Sequence, residues 1–147
     1  MDVPNTSSKT LTAHMCKSAH RGHDIITQKI KTPSFSYINL QLIPASPTTN
    51  DAQLDALTIQ HYIGLALSQF LGLTGSAISI DIVKVEGEEC WIRVPREDLN
   101  PVLAAVGGWV GPPGSQEEDR IGWRVKGSGN WLGLLVAQAG AGHVWDD

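Results

Sequence analysis

The chain has 147 residues, of which 41% are hydrophobic and 18% charged, enough for one domain with a core and too few for two. This composition excludes a fully disordered chain, and no apolar run reaches the length of a membrane span, so we expect no membrane partner. The formal charge of −4 divides into +3 for residues 1–34 and −7 for residues 35–147. Because affinity for nucleic acid comes largely from neutralising phosphates, so acidic a body argues for contacts with other proteins.

Residues 1–34 are rich in Ser, Thr, Lys and His without a sustained hydrophobic period, and we predict a disordered basic tail. The tail contains four potential zinc ligands within ten residues: His14, Cys16, His20 and His23. Structural zinc sites usually separate two ligand pairs by a longer loop, so we predict no metal site here. With only two cysteines in the chain, no disulfide framework is expected.

The ordered body begins with a strand over Phe35–Ile43, where apolar and polar residues alternate. Asn50 and Gln53 match a capping box, and the three- and four-residue spacing of apolar residues predicts a helix over 51–73 that Gly72 or Gly75 ends. Three further apolar residues widen the helix's apolar stripe beyond one buried face: Leu57, Tyr62 and Leu65. We predict that these three residues contact a partner protein.

The remaining pattern predicts a hairpin, a second helix and two further strands. Alternation around Glu86-Gly87 indicates strands at 78–83 and 90–94, and a short or bent helix follows over 96–110. Residues 121–125 predict a fourth strand, 127–129 a turn, and the apolar run 131–136 an extra C-terminal strand. The order βαββαβ predicts an α+β, ferredoxin-like sandwich with two helices on one face of an antiparallel sheet. Its domain would span 35–139, with a C-terminal tail at 140–147.

Strand alternation assigns five chemically distinctive residues to the sheet face opposite the helices: Tyr37, Trp91, Arg93, Arg124 and Lys126. An RNA-recognition motif stacks bases on aromatic residues of this face. The third strand here lacks that family's Gly-Phe signature and follows glutamates, so Tyr37 and Trp91 favour a protein partner. Arg93, Arg124 and Lys126 remain candidates for RNA contact.

No catalytic motif emerges from the sequence. Gly127-Ser128-Gly129 lacks the spacing of a nucleophile elbow, and neither a phosphate-binding loop nor a dinucleotide fingerprint is present. We therefore expect no catalytic residue, no cofactor and no metal, and a protein that is not itself an enzyme.

Several short motifs, in their order and spacing, resemble a known family. These are Ser36-Tyr37-Ile38-Asn39-Leu40, Ala66-Leu67-Ser68-Gln69-Phe70-Leu71-Gly72, Ile80-Asp81-Ile82-Val83, Trp91-Ile92-Arg93-Val94 and Trp123-Arg124-Val125-Lys126-Gly127-Ser128-Gly129. Over residues 35–137 the chain resembles the small α/β protein subunits of ribonuclease P and ribonuclease MRP, and among them the fungal Pop-eight-type subunit.

The resemblance implies a noncatalytic subunit of an RNA-based endonuclease that processes precursor tRNA at its 5′ end and, in the MRP particle, precursor rRNA. It implies a similarly folded partner subunit, other ribonuclease P/MRP proteins, contact with the catalytic RNA mainly in the assembled particle, and a location in the nucleus, with the nucleolus favoured. Two alternatives stay open. A stand-alone RNA-recognition module is disfavoured by the −7 body, and a small-ligand regulatory module by the lack of a Gly-rich loop at 44–47.

Overall fold

The computed structural model describes residues 25–44, 54–117 and 120–141. The helices and strands of these ranges, in chain order, are β1 (Phe35–Pro44), α1 (Ala56–Leu71), the four-residue α2 (Leu73–Ser76), β2 (Asp81–Glu86), β3 (Glu89–Pro95), α3 (Leu99–Gly107), β4 (Ile121–Gly129) and α4 (Leu132–Ala141). A 3₁₀ turn, Arg96–Asp98, leads into α3. Within the described ranges, no helix combines the length and the apolar character that crossing a membrane requires.

The chain divides into two compact units, residues 1–31 and residues 32–147. Of the first unit the structure describes residues 25–31, which are exposed and contain neither helix nor strand. All elements named above belong to the second unit.

The described strands form one antiparallel sheet in the order β2-β3-β1-β4. Ile38 of β1 lies opposite Ile92 of β3, and Leu42 of β1 lies opposite Trp123 of β4. The N-terminal strand thus occupies the interior of the sheet, between two strands from later in the chain. This arrangement confirms the predicted α+β class and is the strand order of a ferredoxin-like sandwich.

The main core lies between one face of the sheet and two helices. Helix α1 buries Ile59, Ile63, Ala66 and Leu67 at three- and four-residue steps, as an amphipathic helix should. Helix α3 buries Val102, Ala105 and Val106 beside them. Their partners on the sheet include Ile38, Leu40 and Ile92, which have no exposed surface. The predicted packing of two helices on one sheet face is therefore observed.

Helix α1 begins later than predicted but ends at a predicted glycine. Asp55 occupies its N-cap position, whereas the predicted cap residues Asn50 and Gln53 lie outside the described residues. At the other end Gly72 has a φ of 64°, and its backbone N–H donates to the Ser68 carbonyl oxygen at 2.9 Å. Glycine adopts this left-handed conformation without the steric cost that a Cβ would bring, so it terminates the helix.

The C-terminal elements differ most from expectation. Strand β4 runs through the predicted turn to Gly129, and the predicted fifth strand is instead the beginning of helix α4. The Leu135 N–H donates to the Trp131 carbonyl oxygen at 3.2 Å, which is the spacing of a first helical turn. A short apolar run does not distinguish a buried strand from a buried helix. Here the helix is formed, and it packs against β1 and β4.

Candidate protein-docking surfaces

The sheet face away from α1 and α3 is built around three residues that lie side by side on adjacent strands. Asn39 of β1 pairs with Trp91 of β3 on one side and with Gly127 of β4 on the other. Asn39 is buried, and only 8% of Trp91 is exposed. The prediction that this face displays Trp91 is wrong, because Trp91 is buried, and α4 packs against β1 and β4 on the same face.

Helix α4 is seated on the sheet through Leu135, which is 4% exposed. A Cβ added at Gly127 would lie 2.8 Å from Leu135 Cδ1, closer than real Cβ contacts occur. Gly127 therefore provides the space that Leu135 occupies. Isolated helices of this length are marginal in water, so α4 depends on this packing for its stability.

A polar group of three side chains lies on the same sheet face. Lys126 donates a short hydrogen bond to Glu89 Oε1, and Asn39 Nδ2 donates to Glu89 Oε2 at 3.5 Å. The Lys126 hydrogen bond is the main reason that the pKa of Glu89 is lowered from 4.5, and partial burial of the carboxylate opposes this shift. Lys126, a predicted RNA contact, is thus already bound to an acid within the chain.

The other two predicted RNA-contact residues differ in their surroundings. Arg93 donates to Asp81 Oδ2 from Nη2 at 2.8 Å and from Nε at 3.1 Å, and its guanidinium carbon lies 4.6 Å from the centre of the Phe35 ring. Arg124 is exposed and forms no ion pair with any residue that the structure describes. Of the three cations, only Arg124 presents an uncommitted charge within those ranges.

The residues of α1 that we predicted to contact a partner differ in how much of each side chain is exposed. Leu57 is 74% exposed, so it is available to a partner. Tyr62 is half-buried, with its ring centre 5.4 Å from that of Trp109, and Leu65 is half-buried against the core. Tyr37, on β1, is half-buried as well. These residues stay predicted partner contacts, and Leu57 is the most accessible of them.

The sequence pattern missed two apolar residues near the C-terminal end of α1. Phe70, which the helical period assigns to the buried stripe, is half exposed, and Leu73 of α2 is almost fully exposed. Helical spacing could not place Leu73, because the chain leaves the α1 axis at Gly72.

A groove that sequence reasoning also missed lies between the β2–β3 hairpin and α4. Leu132 and Val136 of α4 line one side of it, and Val83 and Trp91 line the hairpin side. Its charged lining residues are Lys84, Glu86, Glu88, Glu89 and Lys126. We call it the hairpin groove. It could not be predicted from the sequence once residues 131–136 were interpreted as a strand.

Cys90 is the one cysteine in the described ranges, and it is buried. Burial raises the pKa of the Cys90 thiol to about 12, so the thiol is protonated and unreactive at neutral pH. In the described ranges, no three His, Cys, Asp or Glu side chains are grouped closely enough to hold a metal ion. His14, Cys16, His20 and His23 lie outside those ranges.

Comparison with known proteins identifies one matching protein family and one solved structure with a similar fold. The model of the family described as "Ribonucleases P/MRP protein subunit Pop8" matches residues 34–109, more than half of the chain, from β1 to the end of α3. A chain in the cryo-EM structure of yeast ribonuclease MRP is similar at a TM-score of 0.62 and 15% identity, over 80% of this chain and 97% of that one. No curated protein sequence matches significantly.

Proposed function

Because the chain belongs to the Pop8 family of ribonuclease P/MRP protein subunits, we propose that it is a noncatalytic subunit that joins neighbouring proteins in this particle. In this role it supports 5′ processing of precursor tRNA and, in the MRP particle, processing of precursor rRNA. The family match over residues 34–109 is the observation that carries the proposal. The fold shared with a chain of yeast ribonuclease MRP supports it.

The surfaces of the chain favour protein contacts over RNA reading. An RNA-recognition motif needs exposed aromatic residues on its sheet, whereas only 8% of Trp91 is exposed, which leaves no open ring face for stacking on a base. Arg93 and Lys126 are paired with Asp81 and Glu89, which lowers their capacity to neutralise phosphates. A stand-alone RNA-recognition module is therefore disfavoured.

The partners that we propose are a similarly folded subunit and other ribonuclease P/MRP proteins. The catalytic RNA would be contacted mainly in the assembled particle, where several proteins share the phosphate contacts.

Precursor tRNA and rRNA are made in the nucleus, so we propose a nuclear location, with the nucleolus for the MRP form.

Purification of the tagged full-length chain from its own cells tests this function. We expect ribonuclease P or MRP RNA and several of their proteins to copurify, and depletion of the chain to cause accumulation of 5′-extended precursor tRNA and unprocessed precursor rRNA. Re-expression of the wild-type chain should restore both. Absence of these RNAs from the purified material, or cleavage of precursor tRNA by the isolated chain, would contradict the proposal.

A further inference from the structure

Helix α4 has an unusual composition for a helix on a protein surface. None of its residues, Leu132–Ala141, is charged. Leu135 is buried against the sheet, but Leu134 is 60% exposed and Val136 is 51% exposed, and Trp131 just before the helix is half exposed. Helices that are apolar on every side are normally buried on every side. The outer face of α4 is thus an apolar surface of the kind that protein partners cover.

The hairpin groove lies beside this apolar surface and has a negative charge at its edge. Leu134 and Val136 lie on opposite flanks of α4, and the exposed, uncharged residues Gly133 and Ala137 lie between them on the outer side of the helix. Because Val136 also lines the groove, an uncharged surface runs from Leu134 across the helix into the groove. Both lysines of the groove are neutralised, because Lys84 pairs with Glu86 at 2.6 Å and Lys126 pairs with Glu89. Glu88 is left without an ion-pair partner in the described part of the chain, so the apolar patch has a negative edge.

We propose that the outer face of α4 and the hairpin groove together bind a segment of a partner protein that presents aliphatic or aromatic side chains flanked by lysine or arginine. The inference rests on the proposed function and adds the place and the chemistry of one of its protein contacts. Apolar side chains would cover Leu134 and Val136, and a cation would approach Glu88. Complementary charge of this kind selects among partners more than it adds affinity.

The negative charge at the edge of the patch also disfavours binding of a second copy of this chain, of RNA or of an anionic lipid. A second copy of this chain, docked through the same patch, would offer Glu88 no free cation, because both groove lysines are already paired with acids. RNA phosphates and anionic lipid headgroups would be repelled by the Glu88 carboxylate. A basic, partly apolar protein segment satisfies both the apolar floor and the acidic edge.

Photo-crosslinking in the assembled particle tests the location. The tagged full-length chain would carry p-benzoylphenylalanine at Leu134, or at the exposed loop residue Gln116 as a control. Particles captured through their RNA would be irradiated, and the crosslinked peptides identified by mass spectrometry. We expect the Leu134 probe to crosslink one particle protein, at a segment with lysine or arginine close to the crosslink.

The outcomes separate this inference from the proposed function. If the tagged chain is absent from particles captured through ribonuclease P or MRP RNA, the proposed function fails. If the chain is present but the Leu134 probe reaches only RNA, a second copy of the chain, or nothing beyond the Gln116 control, the docking site is wrong.

A binding titration tests the chemistry without the particle. The probes are a short synthetic amphipathic peptide of leucine and lysine and its leucine and glutamate counterpart, each titrated with the full-length chain by fluorescence anisotropy. We expect tighter binding of the lysine peptide. The variants Leu134→Gln/Val136→Gln and Glu88→Lys should each weaken it by about tenfold or more, as loss of interface anchors does. Gln116→Ala should leave binding unchanged.

All of these variants change exposed residues, so their thermal midpoints should match the wild type and should be measured beside the titration. Equal affinity for the two peptides, or unchanged affinity in both α4 and Glu88 variants, would overturn the proposal.

Discussion

Leu135 lies over Gly127, and the absence of a side chain at Gly127 is what lets α4 approach the sheet. A Cβ at that position would be 2.8 Å from Leu135 Cδ1. The pair joins the C-terminal helix to an edge strand of the sheet. It therefore links a backbone feature of β4 to the position of the helix that lines one side of the hairpin groove.

Replacing Gly127 with alanine should lower the free energy of unfolding by about 1 kcal/mol, near the lower end of the range for overpacking, because the atom that must move is the end of a leucine side chain. Gly129→Ala is the matched control on the same strand, since a Cβ there meets nothing within 4 Å. Urea denaturation of both variants measures the difference. Equal stability losses in the two variants would contradict the contact.

Leu57→Ala should weaken binding of the partner subunit by about 1 to 2 kcal/mol, because exposed aliphatic residues at a docking surface lose buried contacts when truncated. Its stability should stay within about 0.5 kcal/mol of wild type, since Leu57 is exposed. Arg124→Ala, a change at another exposed residue, should affect binding of the protein partner much less. Isothermal titration with the copurified partner subunit decides between them, and a larger effect of Arg124→Ala would favour an electrostatic contact.

The Glu89 carboxylate should contribute a pH-dependent part of the stability. The Lys126 hydrogen bond lowers the pKa of Glu89 from 4.5 in the folded chain, so its stabilisation is present above pH 4.5 and is lost as the pH falls through the lower folded value. In Glu89→Gln this part of the acid-induced decline should disappear. Lys126→Gln should reduce it too, because that change removes the main hydrogen-bond donor. Unfolding free energies measured across the acid range test this, and unchanged slopes in both variants would count against it.

Deleting residues 1–31 should leave the thermal midpoint nearly unchanged. The deletion ends where the second compact unit begins and keeps Ser34, whose carbonyl oxygen accepts a hydrogen bond from the Arg96 N–H at 3.0 Å. Differential scanning calorimetry of the full and shortened chains measures the effect. A large decrease, or a decrease in the full chain on adding a zinc chelator, would instead indicate a metal site at His14, Cys16, His20 and His23.

The sheet and its two core helices could be predicted because each has a regular hydrophobic period. Ile38 and Leu40 alternate with polar neighbours in β1, and Ile59 and Ile63 follow the helical step in α1. These local patterns also determined the strand order once the βαββαβ arrangement was assumed. Boundaries were less certain, since α1 begins at Ala56 and not at residue 51.

The second sheet face could not be predicted, because its surroundings depend on a segment without a distinctive period. Residues 131–136 are apolar throughout, so they carry no information about which side is buried. The presence of the hairpin groove follows from that choice, because α4 forms one of its sides. The partners of Arg93 and Lys126 likewise come from other strands, at Asp81 and Glu89, and no local pattern reveals such pairs.

The interior position of β1 has a consequence for how the chain folds during synthesis. Tyr37 pairs with Gly129, so one side of β1 lacks its β4 partner until synthesis has passed residue 129. Long-range pairing of this kind is slow, and an unpaired strand edge is prone to aggregation. The segment 34–109 that carries the family match ends before β4 and would leave this edge exposed. A nascent or truncated chain should therefore depend on chaperones until residues 121–141 are available to complete the sheet.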